Sequence, residues 1–251
     1  MKDSRLGVNG QRSTVNGKRL ANLALLLPML GVQDGPARYT EARLACATFR
    51  ETVDTEIRTS VGPTVREERA GRSGLLMLRA RTSDSGLQVL AWFDSLSIWR
   101  EGPEGRSEPD TEGLLGGRWR GQLDPRGRYS PGAVPFIPDE VAGVADLRGV
   151  LEDFLPLLPD SALGDGAIYR WSKQASGDST TVVDSLAIPV HRESREAGSL
   201  VWNAGSGPVR WERELSATAR IPAGGPFPRG VVSVVRQVVR VERLAADCRD
   251  G

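Results

Sequence analysis

The chain carries few residue types that could do catalytic chemistry, and its one histidine, His191, is the first to consider. His191 lies in "IPVHRES", a strand-like stretch in which alternate residues are charged. A histidine general base needs a nucleophile and an orienting acid within hydrogen-bond reach. Asp184, Ser185 and Ser194 are near in sequence, but neighbours along a strand point along one sheet and do not converge. We therefore expect an exposed or hydrogen-bonded strand histidine.

Pairs of carboxylates, such as Glu67-Glu68 and Glu212-Glu214, are the next candidates. A glycosidase needs two carboxyl groups that face each other across a cleft, one of them with a raised pKa. Nothing in the sequence distinguishes one pair in this way. The segment "RWERE" around Trp211 is better interpreted as a solvated strand face with the tryptophan turned inward.

A third candidate is Asp165, which stands between two glycines in "FLPLLPDSALGDGAIYRW", residues 154–171. A calcium loop of the EF-hand type needs further oxygen ligands at alternate positions and a distal glutamate. Apolar Ala162 and Leu163 occupy the intervening positions, and no glutamate follows in register. We expect a turn here and not a metal site.

The sequence contains no nucleophile elbow, phosphate-binding P-loop, H-E-x-x-H or C-x-x-C motif. We therefore predict no catalytic residue, no metal and no cofactor, with an unrecognised hydrolase as the enzymatic alternative. The formal net charge is +1, from 33 basic and 32 acidic residues that are interspersed along the chain. That balance gives no global field to attract nucleic acid, so we expect no nucleic-acid partner.

The N-terminus has the layout of an export signal. Lys18-Arg19 precedes the apolar run "LANLALLLPMLGV" (20–32), and "GPA" (35–37) offers small residues for cleavage after Ala37. The run is too short for a transmembrane helix and suits a signal peptide over 1–37. The alternative is a short buried N-terminal helix. We expect a periplasmic or secreted protein that does not span the membrane.

The two cysteines, Cys46 and Cys248, flank the first and last strand patterns. If those strands are antiparallel neighbours, the two thiols lie close together, and an exported chain would pair them. Two unpaired cysteines are the alternative. A lipid anchor on Cys46 is disfavoured because Arg43 stands where a lipobox needs an apolar residue.

Most of the chain alternates between apolar and polar residues, as antiparallel strands do. Residues 49–61 are the clearest case. A second strand pattern at 64–70 turns at Gly71 into a third at 75–81, and a fourth at 87–99 and a hairpin at 118–131 follow. After Gly166, strand patterns resume at 167–174, 179–194, 199–205, 208–222 and 231–244. The sequence predicts a mainly β domain over 38–251 in two halves, about 46–131 and 166–246.

The only long helical pattern joins these halves. Apolar residues recur at threes and fours between 139 and 158, Asp139 can cap the start, and Pro156 and Pro159 end the pattern. We predict an amphipathic helix over about 139–158 that covers the concave face of one large curved antiparallel sheet, or open half-barrel.

Large apolar side chains near this helix and in the strands are the best candidates for binding a ligand. They lie in strand patterns or beside the turn at 164–166, and they are Trp92, Trp99, Phe154, Leu158, Tyr169, Trp171 and Trp202. One interpretation is ordinary core filling. The other is a hydrophobic cavity between sheet and helix that holds a lipid or another apolar ligand.

In this plan the chain resembles the lipoprotein-carrier and lipid-transfer half-barrels of the bacterial periplasm. It also resembles uncharacterised families of exported bacterial β-rich proteins, in which proline-spaced apolar residues and a Gly-Asp pair follow a helix. Pro156, Pro159, Leu163, Gly164 and Asp165 match that form, and "GQLDPRGRYS" (121–130) resembles the preceding hairpin. The resemblance implies a lipid or lipoprotein acyl chain as ligand. The alternative is a cell-envelope scaffold that binds a protein partner and has a filled core.

Overall fold

A computed structural model describes residues 35–152, 154–183 and 186–244. Ten strands dominate it, with bounds Ala47–Val61 (β1), Thr64–Ser83 (β2), Gly86–Gly102 (β3), Gly105–Ser107 (β4), Trp119–Leu123 (β5), Tyr129–Ala133 (β6), Ile168–Val183 (β7), Leu186–Asn203 (β8), Gly207–Ile221 (β9) and Val231–Leu244 (β10). The helical elements of the described residues are short: Glu41–Leu44 (α1), Asp139–Ala142 (α2) and a 3-10 turn at Glu112–Leu114.

The strands form one antiparallel sheet in the order β6-β5-β3-β2-β1-β10-β9-β8-β7, with β4 paired to β3. β6 and β7 are the two ends of this order and do not pair with each other, so the described sheet does not close into a barrel. The sequence-based prediction of a mainly β protein with one large antiparallel sheet is confirmed.

The alternation of side chains gives the sheet two unlike faces. The segment 134–166 packs on one of them, which we call the inner face; it carries Phe49 and Leu76 in the first half and Leu200 and Trp211 in the second. The other side is the outer face. Successive residues of a strand point to opposite faces, and the pairing register then places every strand residue on one face or the other.

The first and last strands are antiparallel neighbours, with Thr48 opposite Leu244 at the end where β1 begins. This is the condition on which the predicted pairing of Cys46 with Cys248 depends. Cys248 lies outside the described residues, so the bridge stays a prediction. A shift in mobility between reducing and non-reducing gels would test it. The predicted signal peptide also falls largely outside the described residues, which begin at Gly35.

The turn predicted at Gly71 is absent, because β2 runs without a break from Thr64 to Ser83. Gly71 lies opposite Trp99 of β3, and a Cβ atom at residue 71 would overlap the Trp99 indole. The glycine makes room for an aromatic ring on the neighbouring strand and does not reverse the chain.

The helix predicted over 139–158 is confined to Asp139–Ala142, and that part of the prediction is wrong in length. Beyond Gly143 the chain forms successive turns, one of them closed by the Asp146 side chain, whose Oδ1 accepts the Arg148 amide hydrogen bond at 2.9 Å. The Leu147 carbonyl accepts a hydrogen bond from Trp119 Nε1 at 3.0 Å. This carbonyl is therefore bonded to the sheet and not to an amide within a helix. The predicted face is nevertheless largely correct, since Val141, Leu147, Leu151, Phe154, Leu155 and Leu158 of this segment are buried in the core.

Aromatic side chains join this segment to both halves of the sheet. The Phe154 ring meets Phe49 of β1 and Trp211 of β9 edge-on, each at a centroid distance of 5.4 Å. Tyr39 is buried beside Trp202, and its hydroxyl donates to the Pro156 carbonyl at 2.8 Å. The space beneath the segment is therefore filled by well-packed aromatic side chains.

Candidate functional site

A pocket of about 370 Å³ opens where segment 134–166 ends against the second half of the sheet. One wall is formed by the β5–β6 hairpin together with Glu152 and residues 155–157, and the other by the inner face of β7, β8 and β9. Both aromatic and charged side chains line it: Arg128, Tyr129, Glu152, Tyr169, Trp171, Lys173, Glu196, Trp211 and Arg213.

The part of the wall formed by β7 results from the alternation of side chains between the two faces of a strand. Tyr169, Trp171 and Lys173 are alternate residues of this strand and so share the inner face. The Tyr169 and Trp171 rings stack at 5.8 Å between centroids with an interplanar angle of 25°. Trp171 lies over Gly198 of β8, where a Cβ atom would collide with the indole. Gly198 thus sets the position of the ring that forms the wall.

Glu196 of β8 holds this wall in place. Its Oε1 accepts a hydrogen bond from Trp171 Nε1 at 2.8 Å and lies 3.5 Å from Lys173 Nζ. The base of the pocket is Trp211, which is buried, with Arg213 two residues further along β9 on the same face. Positive and negative groups therefore surround an aromatic base.

Tyr129 supplies a neutral hydroxyl on the opposite wall. Burial raises the pKa of Tyr129 to about 12, and the negative charge of Glu152 adds to this. The phenol is therefore protonated at neutral pH and can donate a hydrogen bond into the pocket. Leu155, Pro156 and Leu157 form the apolar part of this wall.

Beyond the pocket the inner face continues as a row of small and aliphatic side chains that segment 134–166 leaves partly exposed. We call this row the apolar strip; it consists of Ile57, Leu215, Ala217, Ala219, Ile221, Val231 and Val235. Ile57 lies opposite Val235, Val235 opposite Ala217, and Val231 opposite Ile221, so these members are cross-strand neighbours. Leu215 and Ala219 lie opposite the polar residues Gln237 and Ser233 of β10. Leu215 is the next inner-face residue after Arg213, which makes the strip continuous with the pocket.

The ligand candidates from the sequence are distributed over three places. Tyr169 and Trp171 line the pocket. Phe154, Leu158 and Trp202 are buried in the core, at 1–3% exposure. Trp92 and Trp99 lie on the outer face, away from the pocket, because they alternate with the buried Phe93 and Ile98.

Asp165 has a structural role. Its Oδ1 accepts hydrogen bonds from Asn203 Nδ2 at 2.6 Å and from the Ala204 amide at 3.1 Å, across the β8–β9 turn. Gly166, at φ 71°, donates its amide to the Trp202 carbonyl. The described residues contain no cluster of His, Cys, Asp and Glu that could hold a metal ion. The turn predicted at 164–166 is present, and its hydrogen bonds to the β8–β9 turn fasten this part of the chain to the sheet.

His191 lies on the outer face, between two carboxylates. Its Nδ1 is 2.8 Å from Asp178 Oδ1, and its Nε2 is 3.4 Å from Glu193 Oε1. Hydrogen bonds to Asp178 and then to Glu193 raise the pKa of His191. Arg220 Nη1 in turn donates to Glu193 at 2.7 Å. Both ring nitrogens thus face acids, which is an ion-pair arrangement on the surface of the sheet.

Sequence reasoning missed the charged residues of the pocket. Lys173 could have been identified from the sequence, because it alternates with the same residues as Tyr169 and Trp171 and so lies on their face of the predicted strand. Glu196 and Arg213 come from neighbouring strands, and only the pairing register brings them beside Trp171. Tyr129 belongs to β6, at the other end of the strand order, so neither the sequence pattern nor the register could place it at the pocket.

Among the described residues, no helix is both long enough and apolar enough to cross a bilayer.

No protein-family model and no curated protein sequence matches the chain. Solved structures that are weakly similar to it include the following two. The first is a structure of lipovitellin that concerns its lipid–protein interactions, with a TM-score of 0.46 and 11% identity; the match covers 87% of this chain and 26% of lipovitellin. The second is a DUF1329 family protein from Desulfovibrio piger, with a TM-score of 0.13 and 10% identity over 82% of this chain and 87% of the other. At these TM-scores neither likeness bears on what this chain does.

Proposed function

We propose that the chain binds an elongated amphiphile, such as a fatty acid or the acyl chain of a lipid or lipoprotein, on the inner face of its sheet. The observation that carries the proposal is the continuity between the aromatic, charged pocket and the apolar strip. The protein is proposed to be a non-enzymatic carrier or binding protein, exported to the periplasm or secreted as the N-terminal sequence predicts.

The pocket suits the polar end of such a ligand. Lys173 and Arg213 are donors on the sheet wall, and the Tyr129 hydroxyl is a donor on the opposite wall. Cationic groups bind a carboxylate through charge-assisted hydrogen bonds. The Trp211 ring beneath them offers an apolar contact where the head group joins the chain.

The strip suits the apolar end. Along β9 it extends from Leu215 to Ile221, and with the step from Arg213 the path is roughly 27 Å long at ~3.4 Å per residue. Ala217 and Ala219 have short side chains, so the middle of the strip projects little from the sheet and a methylene chain can lie against it. Each methylene removed from water contributes about 0.8 kcal/mol, so affinity should increase with chain length.

A titration with a fluorescent long-chain fatty acid tests the proposal, and adjacent valines of β10 provide a matched pair of variants. Val235 belongs to the strip and Val234 lies on the outer face, and both are partly exposed. Val235→Asp should weaken binding at least tenfold, because the acyl chain would then meet a charge. Val234→Asp should bind as the parent protein does. Equal affinity of the two variants, or no uptake by the parent, would refute the proposal.

The second candidate is a cell-envelope scaffold that binds a protein partner and no small ligand. The observation in its favour is the filled core, in which Phe49, Phe154 and Trp211 leave the space beneath segment 134–166 closely packed. Native mass spectrometry of protein purified without detergent separates the two candidates. A bound lipid supports the carrier, and a bare chain that also takes up no fatty acid supports the scaffold.

A further inference from the structure

The pocket between the β5–β6 hairpin and β7–β9 is lined by four aromatic side chains, Tyr129, Tyr169, Trp171 and Trp211. A Cβ atom at residue 198 would overlap three atoms of the six-membered ring of Trp171. The indole therefore lies flat on β8, with one face against Gly198 and the other turned away from the sheet. Because Trp171 lines the pocket, this second face is the one that a ligand meets.

An aromatic face attracts a different kind of group from an aliphatic wall. The ring quadrupole is negative over the face, so the face attracts a cation and repels an anion, and tryptophan does so most strongly. Tyr169 stacks with Trp171 at 5.8 Å and 25° and so extends the same aromatic surface. A leucine or valine would serve an acyl chain equally well. These two rings therefore favour a positively charged group such as an ammonium.

The ionisable side chains of the pocket include both signs of charge on facing walls. Lys173 and Arg213 lie on the sheet wall, and Glu152 lies on the opposite wall, where Arg128 of the hairpin also lines the pocket. Glu152 is exposed, and its negative charge adds to burial in raising the pKa of Tyr129. A carboxylate therefore acts on the space that the aromatic faces border.

The second acid of the pocket, Glu196, belongs to the wall itself. Its Oε1 accepts a hydrogen bond from Trp171 Nε1 at 2.8 Å and lies 3.5 Å from Lys173 Nζ. A purely anionic head group beside Lys173 would thus approach two carboxylates and two aromatic faces. A head group that carries both charges can place its anion beside the cations and its cation beside Glu152 and the indole.

We propose that the pocket takes a zwitterionic phospholipid head group, in which a phosphate and a substituted ammonium are joined by a short linker. The phosphate lies beside Lys173 and Arg213, which bind it through charge-assisted hydrogen bonds. The ammonium lies against the exposed face of Trp171, with Glu152 on the opposite wall. This inference rests on the proposed function, because it specifies the head of the amphiphile whose chain the apolar strip holds.

Calorimetric titration with lysophosphatidylcholine and with lysophosphatidylglycerol tests the inference. The two probes have the same acyl chain, are used below their critical micelle concentrations and both carry a phosphate, so only the ammonium distinguishes them. The variants are Glu152→Gln, which removes the carboxylate, and Tyr169→Leu, which keeps an apolar side chain and removes an aromatic face. The control is Glu140→Gln, which makes the same charge change at an exposed residue that does not line the pocket.

The parent protein should bind lysophosphatidylcholine about tenfold more tightly than lysophosphatidylglycerol. Glu152→Gln and Tyr169→Leu should each reduce that preference by about threefold or more, and Glu140→Gln should change it by less than about twofold. Equal affinity of the parent for the two probes, or an equal loss of preference in the control, would overturn the inference. If the parent still takes up a fatty acid in that case, the proposed function stands. Failure to bind both lysolipids and the fatty acid would refute the two together.

Discussion

Replacement of Phe154 by alanine tests whether segment 134–166 is an integral part of the core. Phe154 is 3% exposed and meets both Phe49 and Trp211 edge-on. Truncation of a buried phenylalanine typically costs 3–5 kcal/mol, because apolar contacts are lost and a cavity remains. We expect a loss in the free energy of unfolding of about 4 kcal/mol, close to the total stability of a marginal domain.

The assay is equilibrium unfolding in urea, followed by tryptophan fluorescence, with Leu157→Ala as the control. Leu157 is in the same segment but is 37% exposed, so its truncation should cost less than about 1 kcal/mol. The midpoint for Phe154→Ala should fall while the slope stays constant. A loss below about 1 kcal/mol, or a loss equal to that of Leu157→Ala, would show that the segment is not packed as described.

Three further predictions concern charges and close packing. Glu51 is 2% exposed and receives two hydrogen bonds from Arg72, at 2.8 and 2.9 Å. Glu51→Ala should lower the free energy of unfolding in urea by about 3 kcal/mol, because it leaves the Arg72 charge without a partner, and adding Arg72→Met should recover much of that loss. An unchanged free energy of unfolding in Glu51→Ala would contradict this prediction. His191 has a raised folded-state pKa, so its stabilising contribution is complete below the unfolded pKa and is lost as pH rises through the folded one. The stability difference between the parent and His191→Gln should therefore be largest below the unfolded-state pKa and shrink as pH rises through the folded-state pKa. An NMR titration of this single histidine should give a pKa above the ordinary value of about 6.5; a lower value would contradict the contacts with Asp178. Gly198→Ala should displace the indole above it and alter the near-ultraviolet circular dichroism, at a cost of about 1 kcal/mol, and an unchanged spectrum would argue against that contact.

The sequence predicted strands and their boundaries well where one face of the strand is exposed to solvent. In β1 the polar residues alternate strictly with the others, so period and boundaries could be predicted, and Gly62-Pro63 marks the turn that follows. The same pattern could not show that Gly71 lies within a strand, because its function is to accommodate Trp99 from a neighbour that only the register reveals.

The segment 139–158 shows a different limit. Spacing by threes and fours correctly identified which residues are buried, yet only Asp139–Ala142 is helical. Apolar spacing reports which side chains meet the core, and successive turns can satisfy the same spacing when Gly143 and Gly149 weaken the helix. Local pattern alone cannot separate these two outcomes.

The candidate site was predictable only in part. Tyr169 and Trp171 could be identified because a strand places alternate residues together. Trp92 and Trp99 could not be assigned to a face, because which side of a sheet is covered depends on where a distant segment packs. The cross-strand neighbours Glu196 and Arg213 required the register of three strands.

The most direct test of the central claim is photo-crosslinking of the full chain with a long-chain fatty acid that carries a diazirine near its methyl end, followed by peptide mapping. We expect crosslinks to inner-face residues of β9 and β10, such as Ala217, Ile221 and Val235, and their loss in Val235→Asp. Crosslinks on the outer face around Leu90 and Trp92, or no crosslink at all, would contradict it.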